Sequence, residues 1–339
     1  MERLIVVEGP EEQEWWSRAA DLPPLDPADL IQHACDAHWR LVGRDGETVA
    51  RCSLWWRRTP SVPGHRVGII GHYAARDAAA GQRLLQHACE QLAAQGSTLA
   101  VGPMDGNTWR RYRLITERGS EPIFFLEPDN PDDWPAHFTA NGFTTLARYA
   151  SAIDCDLGQP DRSMAEVAAR AAARGIQIRS LDPGRFEEEL RRIYSIAAAS
   201  FRHSFLYSPI SEADFIAQYR PLQTCTRPEL VLIAEQESRP VAFAFAIPDL
   251  LETQPSSEPH RRSGQAIDTV IFKTIAVHPA YATAGLGSLL VVRFREAAHN
   301  LGYRRVIHAL MDVTNVSRKI SRRYDGRTFR RYALFGRRL

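Results

Sequence analysis

Lysine is nearly absent from this chain of 339 residues, since Lys273 and Lys319 are its only lysines among 42 Lys and Arg residues. We attribute the arginine bias to genome base composition rather than to chemistry. With 40 acidic residues the formal net charge is +2, close to neutral. The basic residues lack the interleaved aromatics and the fold motifs typical of nucleic-acid binding, which argues against a nucleic-acid partner.

The cysteines form no pattern of a metal or disulfide site. None of the five belongs to a Cys-x-x-Cys pair, and their spacing is irregular, so we expect no zinc site and no disulfide framework. We interpret them as buried free thiols rather than catalytic groups. They are Cys35, Cys52, Cys89, Cys155 and Cys225.

Long hydrophobic runs and targeting patterns are also missing. There is no apolar run of transmembrane length, and no signal-peptide pattern of a charged segment followed by an apolar one. We therefore expect a cytoplasmic protein that does not enter the membrane. The Gly-x-Gly-x-x-Gly pattern with an acidic residue about twenty positions later is absent as well, which argues against a dinucleotide dehydrogenase. The length is typical of two domains.

One strand, loop and helix pattern stands out against these absences. A hydrophobic strand at Val270 to Val277 is followed by Pro279, two closely spaced glycines at Gly285 and Gly287, and a helical pattern from 288 to 301. Glycines let the backbone approach a ligand closely, and the free amides and positive dipole end of the helix favour an anion. The pattern therefore predicts a phosphate site.

The elements that follow extend this pattern into a family resemblance. A second buried strand spans Val306 to Met311, and a closing strand lies near 332–335. This order resembles the GNAT superfamily of acyl-CoA-dependent N-acyltransferases, whose loop reads Gln/Arg-x-x-Gly-x-Gly/Ala. The glycines match at Gly285 and Gly287, whereas Ala282 stands at the Gln/Arg position, so one polar contact to the pyrophosphate is missing.

The first half of the chain repeats the plan in degraded form. Strands are predicted at 48–56, 67–74 and 98–101, with a helix at 78–95, but its loop has one glycine, Gly81, where the motif has two. We expect an α/β (α+β) fold with two GNAT-like domains in tandem, each a mixed, mostly antiparallel central sheet flanked by helices. We expect residues 1–158 to form a degenerate GNAT-like domain with a substrate-pocket or structural role. Residues 159–174 are expected to form a connector helix, and residues 175–339 the acyl-CoA-binding catalytic domain.

The resemblance implies roles for residues around the loop. Backbone groups of the strand would hydrogen-bond the pantetheine arm of acetyl-CoA or another acyl-CoA, and amides at the helix start would hold its pyrophosphate. Asn315 would contact the donor arm. The implied cofactor-binding residues are Ile275, Ala276, Val277, Ala282, Gly285, Leu286, Gly287, Ser288 and Asn315.

The acid and the base are marked less clearly. By resemblance Tyr324 would protonate the departing thiolate, although it could instead be a core aromatic, with Tyr332 as the fallback. The motif strand carries no glutamate, so the candidates for the general base are Asp268, His308, His278 and Asp312. A histidine on a strand can equally be part of the core. A water relay can also take the place of a base. Lys273 could pair with a substrate carboxylate or extend along the surface.

Two further segments have open interpretations. Polar, aromatic and arginine residues are dense at 102–113 and 122–131, where they could line a small-molecule pocket or form ordinary turns. Arginines cluster between Arg304 and Arg338. They could form a solvated face, a rim for the 3′-phosphate of CoA, or a contact surface for an acidic acyl carrier protein.

We therefore expect an N-acyltransferase that moves an acetyl or short acyl group from acyl-CoA to the amine of a small molecule in a ternary complex. The alternatives are a carrier-protein or aminoacyl-tRNA donor, and a non-catalytic acyl-CoA-binding sensor or scaffold.

Overall fold

The computed structural model describes residues 3–7, 21–158, 164–253, 266–314, 323–324 and 326–339. Twenty helices and strands are placed in these ranges, in addition to short 3-10 turns. The strands are β1 Arg3–Val7, β2 Ala37–Val42, β3 Thr48–Trp55, β4 Val67–Ala75, β5 Leu99–Gly102, β6 Leu114–Glu117, β7 Thr144–Asp154, β8 Ile176–Ser180, β9 Val231–Gln236, β10 Arg239–Pro248, β11 Thr269–Val277, β12 Arg305–Asp312 and β13 Arg327–Arg338. The helices are α1 Pro27–His33, α2 Ala78–Ala94, α3 Trp134–Ala140, α4 Ala165–Ala173, α5 Phe186–Phe201, α6 Glu212–Tyr219 and α7 Leu286–Asn300.

All thirteen strands belong to one sheet. Its order is β1-β2-β3-β4-β5-β13-β7-β12-β11-β10-β9-β8, and β6 pairs with β13 beside this path. Only β4 with β5 and β11 with β12 are parallel among the described pairs. The sheet is therefore mixed and mostly antiparallel, as the sequence predicts, and each half contains one parallel pair joined through a helix.

The two halves of the sheet share their central strands. The last strand, β13, lies between β5 and β7, while β7 pairs with β12. A division of the sequence at 159–174 therefore does not coincide with a division of the sheet. Of the expected connector helix, the described part is α4, and residues 159–163 lie outside the described ranges.

Helices cover both faces of the second half. The apolar side of α7 packs with Leu232, Ala244 and Val270, whereas α5 and α6 pack with Val231 and Phe243. Because neighbouring residues of a strand point to opposite faces, α7 and the α5–α6 pair lie on opposite sides of the sheet. In the first half α2 packs on β2, β3 and β4.

Several elements differ from the sequence prediction. Helix α7 begins at Leu286 rather than at 288, and the closing strand extends over twelve residues, Arg327–Arg338. Strand β7 was not predicted, because its sequence is dominated by small and polar residues instead of β-branched ones. In the described part of the chain, no helix has the length and apolarity needed to span a bilayer.

Candidate active site

The parallel strands β11 and β12 separate halfway along their length. Their register runs from Thr269 opposite Arg305 to Phe272 opposite His308 and ends there. At this point β10 pairs Phe245 with Thr274 and Ala246 with Phe272, which leaves Lys273 as the extra residue of a bulge. Strand β12 is also irregular here, between His308 and Met311. Past the bulges, one edge of β11 faces an opening rather than a strand.

The predicted phosphate loop lies at the carboxyl end of β11. Gly285 caps α7 with a φ of +72°, and intrahelical bonding begins at the amide of Leu289, which donates to the Gly285 carbonyl over 3.1 Å. The amides of the first three helical residues therefore have no acceptor within the helix. A Cβ at Gly287 would lie 3.7 Å from Val277 Cγ2 and 3.8 Å from Ile275 Cδ1, which is ordinary contact. Ala282 is exposed and ends the preceding 3-10 turn.

The equivalent helix start in the first half is already occupied by a carboxylate. Asp77 caps α2, and its side chain accepts from the Ala80 amide over 2.9 Å. Gly81 leaves no room for a ligand, because a Cβ there would lie 2.5 Å from the hydroxyl of Tyr73. Both observations favour the expectation that this half has no acyl-CoA site, which stays a prediction.

A cavity of about 400 Å³ opens where β11 and β12 separate. Its wall combines both halves of the chain, because the first-half residues Trp109, Tyr112 and Arg113 line it together with Lys273 and Ile275. The dense segment at 102–113 therefore contributes to a pocket. Most of the remaining wall comes from α5, α6, β9, β10 and β12, and Tyr149 of β7 and the segments near 204–207 and 222–226 complete it.

Arg113 links the first-half loop to the separated strands. Its guanidinium lies 3.7 Å from the ring centres of both Tyr112 and Tyr149, and it donates to the Leu310 carbonyl over 3.1 Å. Leu310 has a left-handed backbone, with a φ of +58°, at the irregularity of β12. The contact supports that unusual backbone and closes one wall of the cavity.

Lys273 is the charged side chain of β11 at the opening. Its Nζ donates to the Leu126 carbonyl over 3.0 Å. Burial, and next the positive charge of Arg113, lower the pKa of Lys273 to about 8, although the nearby Glu127 acts in the opposite direction. An amine with this pKa exchanges protons readily near neutral pH, which is the property required of an acid–base group.

Glu127 belongs to a buried cluster behind Lys273. Its carboxylate lies 3.0 Å from Arg330 Nε, with both side chains fully buried, and it accepts from the Tyr332 hydroxyl. Burial raises the pKa of Glu127 to about 7, although the charge of Arg330 opposes this effect. Ser151 lies 3.0 Å from the same hydroxyl. The cluster places a second titratable group near Lys273.

The structure brings only some of the predicted catalytic residues to the cavity. His308 lines it and is buried, and burial lowers the pKa of His308 to about 4, so its ring is neutral at pH 7. Asp312 also lines it. Asp268 lies at the opposite end of β11, 3.8 Å from Arg304 and 3.9 Å from Arg305. It is not part of the opening.

The predicted acids lie away from the cavity wall. Tyr324 is buried in the cluster around α7, with the guanidinium of Arg295 3.9 Å from its ring centre. Arg295 in turn pairs with the buried Asp154. This position corresponds to the second of the two interpretations of Tyr324 given above, a core aromatic. Tyr332 is buried beside Glu127, and Asn315 lies outside the described residues.

The sequence marks the segments that contain Arg113 and Glu127 as a possible pocket lining, but it assigns neither residue a role of its own, and it does not identify Tyr149. Glu127 stands in an apolar stretch after Phe124, Phe125 and Leu126, and a lone acid in such a stretch is a weak signal of a buried charge. Its partners lie about two hundred positions later in the chain, so no local pattern could reveal the cluster. No group of His, Cys, Asp and Glu suited to a metal occurs among the described residues.

Comparisons with known proteins bear on the fold of the chain. No family model matches the chain. The protein YghO of Escherichia coli is 21% identical over 264 residues, which cover 72% of this chain and 67% of that protein. A structure of a probable N-acyltransferase from Enterococcus faecalis matches with a TM-score of 0.57 at 10% identity, covering 100% of this chain and 72% of that one.

Two further solved structures carry the same fold. A tandem GNAT protein from the clavulanic acid biosynthesis pathway matches with a TM-score of 0.51 at 12% identity, covering 100% of this chain and 98% of that one. A GCN5-related glucosamine N-acetyltransferase region of a fungal multi-domain β-N-acetylglucosaminidase matches at 0.53 and 14% identity, covering 99% of this chain but only 38% of that one. The chain therefore has the GNAT superfamily fold, with two GNAT-like domains in tandem.

Proposed function

We propose that the protein transfers an acyl group from an acyl-CoA thioester to an amine by direct attack in a ternary complex. The observation that carries the proposal is the separation of β11 and β12 at the Lys273 bulge, with free helix amides at one end of β11 and a cavity at its open edge. The pantetheine arm would lie along Ile275, Ala276 and Val277. The amides of Leu286, Gly287 and Ser288 would hold the pyrophosphate.

Lys273 is the group we propose for proton transfer. The attacking amine must lose a proton when the carbon–nitrogen bond forms, and the thiolate must gain one when the carbon–sulfur bond breaks. Neutral Lys273 would accept the first proton, and the resulting ammonium would supply the second, so that the proton count balances. Arg113 supports this role because its charge helps to lower the pKa of Lys273.

The roles that the resemblance implies for Tyr324, Asn315 and His308 stay predictions. Tyr324 would have to reach the thiolate from its packed position on Arg295. His308 is held neutral, so it would act as a hydrogen-bonding group rather than as a cation. An acetyl or short acyl donor, a small-molecule amine acceptor, a possible acyl carrier protein partner and a cytoplasmic location are also parts of the proposal.

The experiment that tests the proposal is a calorimetric titration of the full chain with CoA and acetyl-CoA. We expect one site per chain, because Asp77 occupies the equivalent position in the first half. Gly287→Glu should abolish binding through its charge, since a side chain at this position meets only ordinary contacts. The matched control is Gly184→Glu in an exposed turn, which should bind normally.

Absence of CoA binding well above the micromolar range, where a free energy of about −8 kcal/mol is expected, would contradict the proposal. It would direct attention to a carrier-protein or aminoacyl-tRNA donor. Binding without any transfer to amines would favour the alternative of a non-catalytic sensor or scaffold.

A further inference from the structure

The cavity beside Lys273 extends far beyond the space that an acetyl group needs. Its wall includes Leu310 on β12, Phe272 on β11, Phe243 on β10 and Val231 on β9. These are four neighbouring strands, so the cavity crosses three strand spacings, or roughly 14 Å at about 4.8 Å per spacing. An extended chain covers about 1.2 Å per backbone bond, so the span corresponds to about a dozen bonds.

Charge is confined to one end of this cavity. The charged residues of its wall are Arg110, Arg113, Lys273 and Asp312, all from the first-half loop or from the two separated strands. The rest of the wall is mainly hydrocarbon and aromatic surface under α5 and α6. It includes Leu181, Phe186, Leu190, Ile193, Ala197, Phe215 and Val231. A ligand that fits has a polar end at Lys273 and a long apolar body under α5.

A second cavity, of about 470 Å³, reaches the same loop from the first half. Arg110, Tyr112 and Arg113 line both cavities. The wall of the second one carries charges of both signs, with three carboxylates, from Asp29, Asp105 and Asp214, and four guanidinium groups, from Arg51, Arg110, Arg111 and Arg113. A polar substrate is therefore better suited to this side of the loop than to the apolar cavity, which leaves the apolar cavity to a hydrocarbon chain.

We propose that the apolar cavity under α5 binds the hydrocarbon chain of a long-chain acyl donor, with its thioester carbonyl at Lys273. The inference rests on the proposed transfer from an acyl-CoA thioester to an amine, and it replaces the acetyl or short acyl group of that proposal by a longer chain. The chain would continue from the carbonyl at the opening of β11 and β12 towards β9. Burial of each methylene contributes about 0.8 kcal/mol, or roughly fourfold in affinity, so chain length should dominate the choice of donor.

The test compares the affinities of the full chain for CoA, acetyl-CoA, octanoyl-CoA and dodecanoyl-CoA, each below its micellar concentration. Affinity should rise with chain length, to at least a hundredfold between acetyl-CoA and dodecanoyl-CoA. Equal affinities for all acyl-CoAs would overturn the inference and leave the proposed function intact. Failure of CoA and all acyl-CoAs to bind would instead contradict the proposed function.

Two variants locate the chain. Ala197→Phe fills the cavity from α5, so it should remove most of the gain in affinity of octanoyl-CoA and dodecanoyl-CoA over acetyl-CoA. The affinity for acetyl-CoA itself should be unchanged, and that result would also show that the variant folds. The matched control is Ala199→Phe, which is about 200° around the helix and does not line the cavity. Val231→Phe, at the far end, should weaken dodecanoyl-CoA at least tenfold and spare octanoyl-CoA.

A full chain-length gain in both Ala197→Phe and Val231→Phe would place the chain elsewhere and overturn the inference. A second result would also overturn the inference, namely that Ala197→Phe weakens the binding of dodecylamine but not of dodecanoyl-CoA. The cavity would then hold the tail of the amine acceptor.

Discussion

Lys273 combines three properties at one position: it is one of two lysines, it is the extra residue of the β11 bulge, and it lines the cavity. The bulge turns its side chain out of the regular strand pattern and towards the carbonyl of Leu126. Burial and the charge of Arg113 then lower its pKa to about 8. The sequence alone shows that lysine is rare in this chain, whereas the lowered pKa of Lys273 depends on the residues around it in the fold.

Replacing Lys273 should separate chemistry from binding. We expect Lys273→Met to lower kcat at least a hundredfold with little change in acyl-CoA affinity, because general acid–base catalysis contributes about 10²–10⁴-fold. In the unaltered protein kcat/KM should rise as the pH increases through about 8, since the neutral amine is the base. Lys273→Arg should not restore the rate, because arginine stays protonated.

Steady-state kinetics over pH 6 to 10, with calorimetry for binding, provides the measurement. A pH profile that keeps its rise near pH 8 in Lys273→Met would exclude Lys273 as the titrating group. Equal losses of binding and rate would assign it a structural role.

Two helices with the same place in their domains begin differently. Helix α2 has Asp77 as an extended N-cap, whereas α7 has Gly285 in the left-handed region, without a side-chain cap. In the first arrangement the cap carboxylate accepts from the Ala80 amide and occupies the helix start, whereas the second leaves the first amides of the helix available to a ligand. The difference between an acyl-CoA site and a closed helix start thus depends on a few residues within an otherwise similar element.

The glycines of the α7 loop should respond differently to alanine. We expect Gly285→Ala to lower the free energy of unfolding by about 1–2 kcal/mol, because a residue with a Cβ pays that cost in the left-handed region. Its Cβ would also lie only 3.0 Å from Val167 Cγ1. Gly287→Ala should be neutral or stabilising by up to about 1 kcal/mol, since alanine is the better helix former.

Urea unfolding of both variants checks this contrast. The same free energy of unfolding for the two alanine variants would contradict the left-handed start of α7.

At the scale of the whole molecule, the two domains complete one sheet together. Strand β13 ends the second half of the sequence but pairs with β5, β6 and β7 of the first half, and β7 pairs in turn with β12 of the second half. A fragment ending at residue 158 would lose β13 and expose the edges of β5 and β7. Exposed strand edges promote aggregation.

We therefore expect the fragments 1–158 and 159–339 to be insoluble or unfolded when each is expressed alone. Co-expression should yield a soluble complex, because β7 and β13 can then pair across the cut. Circular dichroism and gel filtration provide the measurement. Independent folding of either fragment, with the same spectrum as in the complex, would show that the shared strands are not needed.

Buried histidines should make the whole molecule sensitive to acid. His72 lies 2.8 Å from both His33 and Ser53, and Ser53 lies 2.8 Å from His38. Burial lowers the pKa of each of the three histidines to about 3. They remain neutral in the folded state, while the unfolded chain binds protons near pH 6.5, so stability is lost as the pH falls below 6.5.

Between pH 7 and pH 5 each of these histidines should reduce the free energy of unfolding by about 2 kcal/mol. The raised pKa values of Asp105, about 6, and Glu127, about 7, offset part of this loss, because these groups gain protons on folding. His72→Asn should reduce the net loss, and asparagine tolerates the φ of +46° at this position.

The measurement is urea unfolding at both pH values, with the exposed His203→Asn as the control. An equal pH dependence in His72→Asn and the control would contradict the role of the buried network.

The sequence by itself determined the features that depend on local chain geometry. The strand that ends before Pro279, the glycines at 285 and 287 and the helix after them form a continuous pattern, which predicted the loop and the elements around it. The tandem GNAT-like fold was expected from the family resemblance of that pattern. Local backbone preferences and hydrophobic periodicity are properties of neighbouring residues, and they can be read without any tertiary contact.

Only the tertiary structure decided what surrounds the reacting atoms. Lys273 donates a hydrogen bond to the Leu126 carbonyl, Glu127 forms an ion pair with Arg330, and residues from both halves line the cavity. These partners lie more than a hundred positions apart, so burial and charge at the site are set by packing rather than by spacing. For the same reason Tyr324 could be matched to a motif in sequence, whereas its packing against Arg295 became visible only in the fold.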